Sequence, residues 1–334
     1  MAYITLNKKH FFHNLDIIAK KTKSKDKIAL VLKDNAYGHG ILEIASMAKE
    51  YGIEHAVVRC DVEAKLIENY FQTVLVLATI PHQADKKIHY TINDKASISL
   101  FPPSTKVHLK VDTGMGRNGI KQEELLEALQ LIDKQELDLQ AVFTHHSSAD
   151  EVTEVYEVQK QAFAEVKGVC QRYLQKEIAF HSCNSSALMR EDSFSEDIAR
   201  VGIAAYGCLD MPKEYGVFDW QPVLSLYGNK ISSRVLQEGE SVGYGATFQA
   251  QERCIVSNYD VGYADGFFRA CSNTYITPQN ISIVGRISMD NSSFLTTEEE
   301  LLIFDDAKKV ALHVNTISYE VLTALKPYIE RRII

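Results

Sequence analysis

No apolar stretch in the sequence is long enough to cross a bilayer: the longest, near VLVLATI, falls far short of the roughly 20 residues a spanning helix needs. Nor is there a dense Lys/Arg stripe. The 36 basic residues are outnumbered by 44 acidic ones, for a formal net charge of -8, which argues against a nucleic-acid partner. There is no CxxC pair. The six cysteines (Cys60, Cys170, Cys183, Cys208, Cys254 and Cys271) are scattered without His/Cys metal spacing, so no structural zinc site is expected. The first residues, MAYITLNKKHFFHNLD, lack the basic-then-apolar pattern of a secretory signal, and scattered thiols without export point to the cytoplasm. A Gly-rich dinucleotide fingerprint and a GxxxxGK[ST] phosphate loop are both missing, which weighs against the commonest open nucleotide-binding sheets.

What is present is ordinary for a soluble globular protein: 46% hydrophobic and 24% charged residues. A chain of 334 residues exceeds one usual core, so two domains, or one barrel with an extension, are expected. Eight short β-rich runs occupy residues 28–33, 55–59, 74–78, 89–93, 106–112, 139–145, 177–184 and 198–206. Between several of them lie segments such as EELLEALQLIDKQ and VYEVQKQAFAEVKGVCQRYLQ, whose apolar residues recur at helical spacing. Strand–helix alternation repeated about eight times predicts a closed parallel (β/α)8 barrel of the TIM type. After Phe218 the helical period fades. VLSLYGNKISSRVL, SVGYGATF, CIVSNYDVGYA, TYITPQNISIVGRISM, ELLIFD and KKVALHV read as β-prone runs separated by Gly, Asn and Pro. The expected fold is therefore α/β, a barrel over residues 1–218 followed by a mostly β carboxy-terminal domain over 219–334.

Catalytic groups of a parallel barrel gather at the carboxy ends of its strands. Those positions here hold Lys33, Lys110 with Asp112, His145, Asn184 with Ser185, and Arg200 with Gly202. Lys33 is the most telling. It stands where IALVLK gives way to DNAYGHG, and a lysine buried at a strand end suits a carbonyl cofactor held as a Schiff base.

These residues carry a resemblance. VLKDNAYGHG resembles the cofactor-lysine motif of alanine racemases, enzymes of fold type III that use pyridoxal 5′-phosphate. LKVDTGMGRNG, FTHHSSAD, CNSSA, RVGIAAYG, VGYGATF, VGYADGFFR, VGRISMD and ISYEVL resemble the same family in the same order, over about residues 8–325. The resemblance implies a head-to-tail homodimer in which each site joins the barrel of one subunit to the β domain of the other. Lys33 matches the cofactor-bearing lysine and first base, and Tyr244 matches the second base, supplied from the partner subunit. Tyr37, Ser185 beside Asn184, Gly202, Ile203 and Tyr319 match positions that hold the cofactor phosphate. His145 matches an imidazole beside the pyridine ring, and Arg200 matches the arginine facing its nitrogen. Arg117 and the backbone of Met289, next to Asp290, match contacts to the substrate carboxylate. Lys110 matches a lysine that relatives can carbamylate. Tyr263, Arg269 and Arg286 match the walls of a narrow entry path.

The reaction implied is L-alanine ⇌ D-alanine, supplying D-alanine for peptidoglycan. A broad-specificity racemase or a decarboxylase on the same scaffold are the nearest alternatives, and a non-enzymatic cofactor carrier is the alternative of another class. Tyr244 and Arg200 oppose decarboxylation, since two-sided proton return and a weak electron sink suit racemisation, and the carboxy-terminal domain with its Tyr244 opposes a carrier, which needs no second base.

Overall fold

The computed structural model describes all 334 residues. The first strand, β1 (Tyr3–Leu6), leads into a helix, Lys8–Thr22, whose start is capped by Asn7 accepting from the His10 N–H at 3.1 Å. Eight parallel strands follow: β2 (Ile28–Val31), β3 (His55–Val58), β4 (Thr73–Val76), β5 (Ile88–Ile92), β6 (Lys106–Lys110), β7 (Asp138–Phe143), β8 (Ala179–His181) and β9 (Ala199–Val201). They pair in the order β8-β7-β6-β5-β4-β3-β2-β9. The two edges meet where Asp197 N–H donates to Phe180 O at 3.2 Å and Arg200 N–H to Cys183 O at 2.9 Å, so the sheet curls into a nearly closed barrel. Runs such as IALV are buried at every position, as strands covered on both faces must be. All eight expected strands are found, but each is shorter at its carboxy end. There the chain leaves the ladder to form the loops that carry polar groups.

The chain then enters a long strand, β10 (Leu224–Leu236), which pairs antiparallel with strands Cys254–Tyr259 and Glu300–Phe304. β10 also pairs with β1, and β1 in turn lies parallel to Glu330–Ile333. The first strand thus belongs to the sheet of the carboxy-terminal half, although it precedes the barrel in sequence. One apolar cluster runs through both halves, joining Leu30 and Val57 of the barrel to Leu226 and Ile303 of the second sheet.

One β-prone run is corrected. KKVALHV lies in a helix, Ala307–Val314, capped by Asp306, whose carboxylate accepts from the Lys308 N–H at 2.9 Å. Ala307, Val310 and Ala311 are its buried residues, a helical spacing that outweighs the β preference of two valines. A second short helix, Ser318–Ala324, follows and carries Tyr319. No helix is long and apolar enough to cross a membrane.

Candidate active site

Lys33 leaves β2 and opens a segment that local preference would not choose. Asp34, Asn35, Ala36 and Tyr37 all have left-handed φ, at 54, 56, 52 and 51°, making one turn of left-handed helix from residues with side chains. Such a turn costs about 1–2 kcal/mol per residue, so its surroundings must hold it. They do so from several sides. Asn35 Oδ1 accepts from the Ile41 N–H at 2.9 Å, Arg59 pairs with Asp34 at 3.1 Å, and Arg331 donates to Gly38 O at 2.9 Å. Gly38, at φ +77°, ends the turn against helix Ser318–Ala324, where a Cβ would run into the Leu322 carbonyl oxygen. The half-buried lysine is thereby fixed at the barrel mouth with its ammonium 6.0 Å from the centre of the Tyr37 ring.

The cavity at that mouth is lined by eleven of the residues singled out in the sequence: Lys33, Tyr37, Lys110, Arg117, His145, Asn184, Ser185, Arg200, Gly202, Ile203 and Tyr319. One end of it is a cradle of donors. The Ser185 hydroxyl oxygen accepts from the N–H groups of Gly202 (3.1 Å) and Ala204 (3.4 Å). A Cβ on Gly202 would lie 2.8 Å from the Tyr37 hydroxyl, so only glycine lets the two elements close together. Burial, aided by Tyr319 and Asp34, raises the Tyr37 phenol well above its usual range and keeps it a neutral donor.

At the floor lies Arg200. One terminal nitrogen donates to the imidazole Nδ1 and, at 3.0 Å, to the carbonyl of His181. The other donates to Thr144 O at 2.7 Å and Ser182 O at 3.1 Å. Its guanidinium also lies over the Phe143 ring at 4.9 Å. At the side, burial and the charges of Arg117 and Arg200 lower the Lys110 amine to about 8. Burial and the same two arginines, together with Lys110, hold His145 neutral by pushing it well below the usual imidazole range. Arg117 sits on a turn that Asp112 ties down by accepting from the N–H groups of Gly114 (2.9 Å), Met115 (2.8 Å) and Gly116 (2.9 Å).

The other six candidates lie elsewhere. Tyr244, Tyr263, Arg269, Arg286, Met289 and Asp290 are all exposed on the carboxy-terminal half and do not line the cavity. Their loops are laced together. Tyr263 N–H donates to Ser288 O at 3.1 Å, Ile287 N–H to Ser272 Oγ at 3.0 Å, and the Arg286 guanidinium packs 3.2 Å from where a Cβ on Gly245 would stand. They make a second polar patch, in which Tyr244 is 69% exposed.

Sequence reasoning missed the layer behind the cavity. Thr144, His181 and Ser182 bind Arg200, and Glu196 secures the loop before Ser185. The Glu196 carboxylate accepts from Ser182 Oγ at 2.7 Å and Cys183 N–H at 3.2 Å and pairs with Lys167 at 3.1 Å. The signal available was modest: one of several acids a few residues before an apolar strand. Burial alone would raise this carboxyl, but Lys167 and the donors of Ser182 and Cys183 outweigh it and hold it below its usual value. A depressed carboxyl stabilises the fold above its unfolded pKa, near 4.3, and the contribution is lost as pH falls through the lower folded value. Glu196→Gln is expected to cost about 2 kcal/mol at pH 7, the worth of charge-assisted hydrogen bonds. Urea unfolding should show the gap to wild type closing as the pH drops below 4; a pH-independent gap would count against the charge.

Two family descriptions cover nearly the whole chain: alanine racemase, N-terminal domain, at residues 6–210, and alanine racemase, C-terminal domain, at 223–333. The alanine racemase of a Nitratiruptor species is 42% identical over 335 residues, 99% of each chain. The chain belongs to the alanine racemase family. The barrel-plus-β fold and the racemase reaction class expected from the sequence are those of this family, which depends on pyridoxal phosphate. Among solved structures, alanine racemase from Bacillus anthracis with bound L-Ala-P superposes with a TM-score of 0.88 at 26% identity, over 100% of this chain and 95% of that one. A histidine racemase from Leuconostoc mesenteroides superposes with a TM-score of 0.84 at 25% identity, over 100% and 98%.

The donor cradle fits a phosphate dianion. The Ile203 N–H is buried and has no partner in the chain, and the Tyr37 and Tyr319 hydroxyls have none either. Lys33 lines the same cavity.

Proposed function

We propose that this chain interconverts L- and D-alanine with two bases drawn from two subunits, Lys33 from its own barrel and Tyr244 from a second copy. The observation that carries this reading is the split of the candidate residues: eleven line one cavity, and six stand exposed on a separate patch of the same chain. A homodimer that places the patch of one subunit over the cavity of the other completes the site twice.

Pyridoxal phosphate would be held by Lys33, with Tyr37, Asn184, Ser185, Gly202, Ile203 and Tyr319 taking its phosphate, and would supply an electron sink that makes the α-proton of an amino acid acidic. Arg117 takes the substrate carboxylate, helped by the Met289 N–H beside Asp290 of the second copy. The lowered Lys110 amine is open to carbamylation, and the anion formed would neutralise and orient Arg117. Tyr263, Arg269 and Arg286 narrow the path by which a small side chain enters. Arg200 presents only donors, so it leaves a ring nitrogen unprotonated and favours return of the α-proton over transamination. Lys33 Nζ exchanges that proton on one face and Tyr244 Oη on the other. Such an enzyme, working in the cytoplasm, would supply D-alanine for peptidoglycan.

Tyr244→Phe in D2O tests the two-base assignment. α-Deuterium exchange should fall by about 10²–10⁴ for L-alanine, the usual worth of a general base, while exchange into D-alanine through Lys33 persists. Equal loss from both enantiomers would remove Tyr244 from its role. Chiral analysis with a panel of L-amino acids that includes histidine should show alanine dominant; comparable turnover of larger substrates would favour a broad-specificity racemase.

A further inference from the structure

Below the cavity, three histidines stand in line inside the barrel. His181 of β8 approaches His108 of β6, with Nε2 2.9 Å from Nδ1, and His108 Nε2 approaches His89 Nδ1 of β5 at 3.0 Å. All three are buried, and none lines the cavity. The row begins at Arg200, whose terminal nitrogen meets His181 Nδ1. Phe143 lies flat against the His181 ring, with centroids 4.6 Å apart and planes 14° from parallel.

Chemistry allows this row only one direction. A guanidinium donates and never accepts, so His181 Nδ1 must be bare and its single proton must sit on Nε2. That proton points at His108 Nδ1, which must then be bare in turn, and the same holds at His89. The reverse order would set an N–H of His181 against an N–H of Arg200. The row ends at His89 Nε2, which is buried without a partner. An apolar side chain at position 89 would avoid that unsatisfied donor, so simple packing does not account for the arrangement. Burial, first among the causes, holds all three imidazoles below their usual range and so uncharged. The outer end matters to Arg200. Of its five N–H groups, two point at His181 Nδ1 and O and two at Thr144 O and Ser182 O. Only the Nε–H remains free.

We propose that His181, His108 and His89 are positioning residues of the racemase, a one-way hydrogen-bond chain that locks the Arg200 guanidinium and leaves its Nε–H as the single donor presented to the site. The proposal rests on the reading above in one respect, that Arg200 faces the cofactor ring.

The test uses the full chain, with and without pyridoxal phosphate, labelled with ¹⁵N in histidine and arginine. Wild type should show all three histidines neutral with the proton on Nε2, and separate, slowly exchanging signals for the terminal N–H groups of Arg200. His108→Leu should merge those signals, and His108→Gln, which can accept at one end and donate at the other, should restore them. With the cofactor bound, His108→Leu should raise pyruvate formed per racemisation by about tenfold, as loss of a residue one layer behind a reacting centre commonly does, and His108→Gln should bring it back. A proton on Nδ1 or a charged ring in any of the three, or Arg200 signals unmoved by His108→Leu, would overturn the proposal. The cofactor-free spectra decide this whatever Arg200 faces. Merged signals with an unchanged pyruvate ratio would overturn the positioning role, and an Arg200→Glu variant with that same ratio would place the fault in the cofactor reading instead.

Discussion

Two inactive variants are expected to make an active enzyme when mixed. On the proposed reading Lys33→Ala removes the base of the barrel, and Tyr244→Phe removes the base of the exposed patch, so each variant alone should lose racemisation by at least about 10². In a mixed dimer one of the two sites pairs an intact Lys33 with an intact Tyr244 from across the boundary, and the other site carries both lesions. Random exchange of equal amounts makes half the dimers mixed, so about a quarter of wild-type activity should return. Co-expression or joint refolding followed by a D-alanine assay reads this directly. If the mixture is no more active than its parts, both bases act within one chain and the two-subunit site is wrong. The structure motivates the test because Lys33 lines the cavity whereas Tyr244 is exposed on the separate patch.

The second large effect concerns Arg200→Glu. In the wild type, terminal guanidinium N–H groups meet the carbonyl oxygens of Thr144, His181 and Ser182 and the bare nitrogen of His181. A carboxylate there would face four acceptors with no donor to offer. Leaving such buried groups unpaired is expected to cost about 3–5 kcal/mol of stability, visible in urea unfolding. On the proposed placement of Arg200 the same change would remove an obligate donor beside the ring nitrogen, so pyruvate from transamination should rise relative to racemisation. Arg200→Lys keeps the cation and supplies three donors, and should fold better with a smaller rise. A by-product ratio unchanged in both variants would exclude Arg200 from control of the reaction's outcome.

The barrel was legible because its strands are short apolar runs at regular intervals, and the periodicity of the intervening helices is strong. Their ends were read too long, since the residues that follow are apolar or extended yet leave the ladder to carry the site. The left-handed turn at Asp34–Tyr37 could not have been read from preference: Ala36 and Tyr37 disfavour that backbone, and it is held by Arg59 on Asp34, Arg331 on Gly38 O and the packing of helix Ser318–Ala324. Functional sites are where local rules and tertiary demands part company. The placement of β1 was hidden for a different reason: its partners lie at the far end of the chain, and nothing in YITL names them. The run KKVALHV misled because valine content was weighed above the spacing of its buried residues. The histidine row was visible only as isolated letters on three strands; the alternation of side chains across the barrel wall brings them together.

The pairing of β1 with both β10 and Glu330–Ile333 also sets an order on synthesis. The strand leaves the ribosome ahead of the barrel and waits, without its partners, while the barrel is made behind it. The second sheet is complete only when Glu330–Ile333 emerges, so the barrel strands can pair during translation while β1 still lacks a neighbour. A nascent chain would thus carry Lys33 on a formed barrel before Tyr319 and Arg331 arrive to secure the turn that follows it, so the cradle is completed only in the last stretch of synthesis.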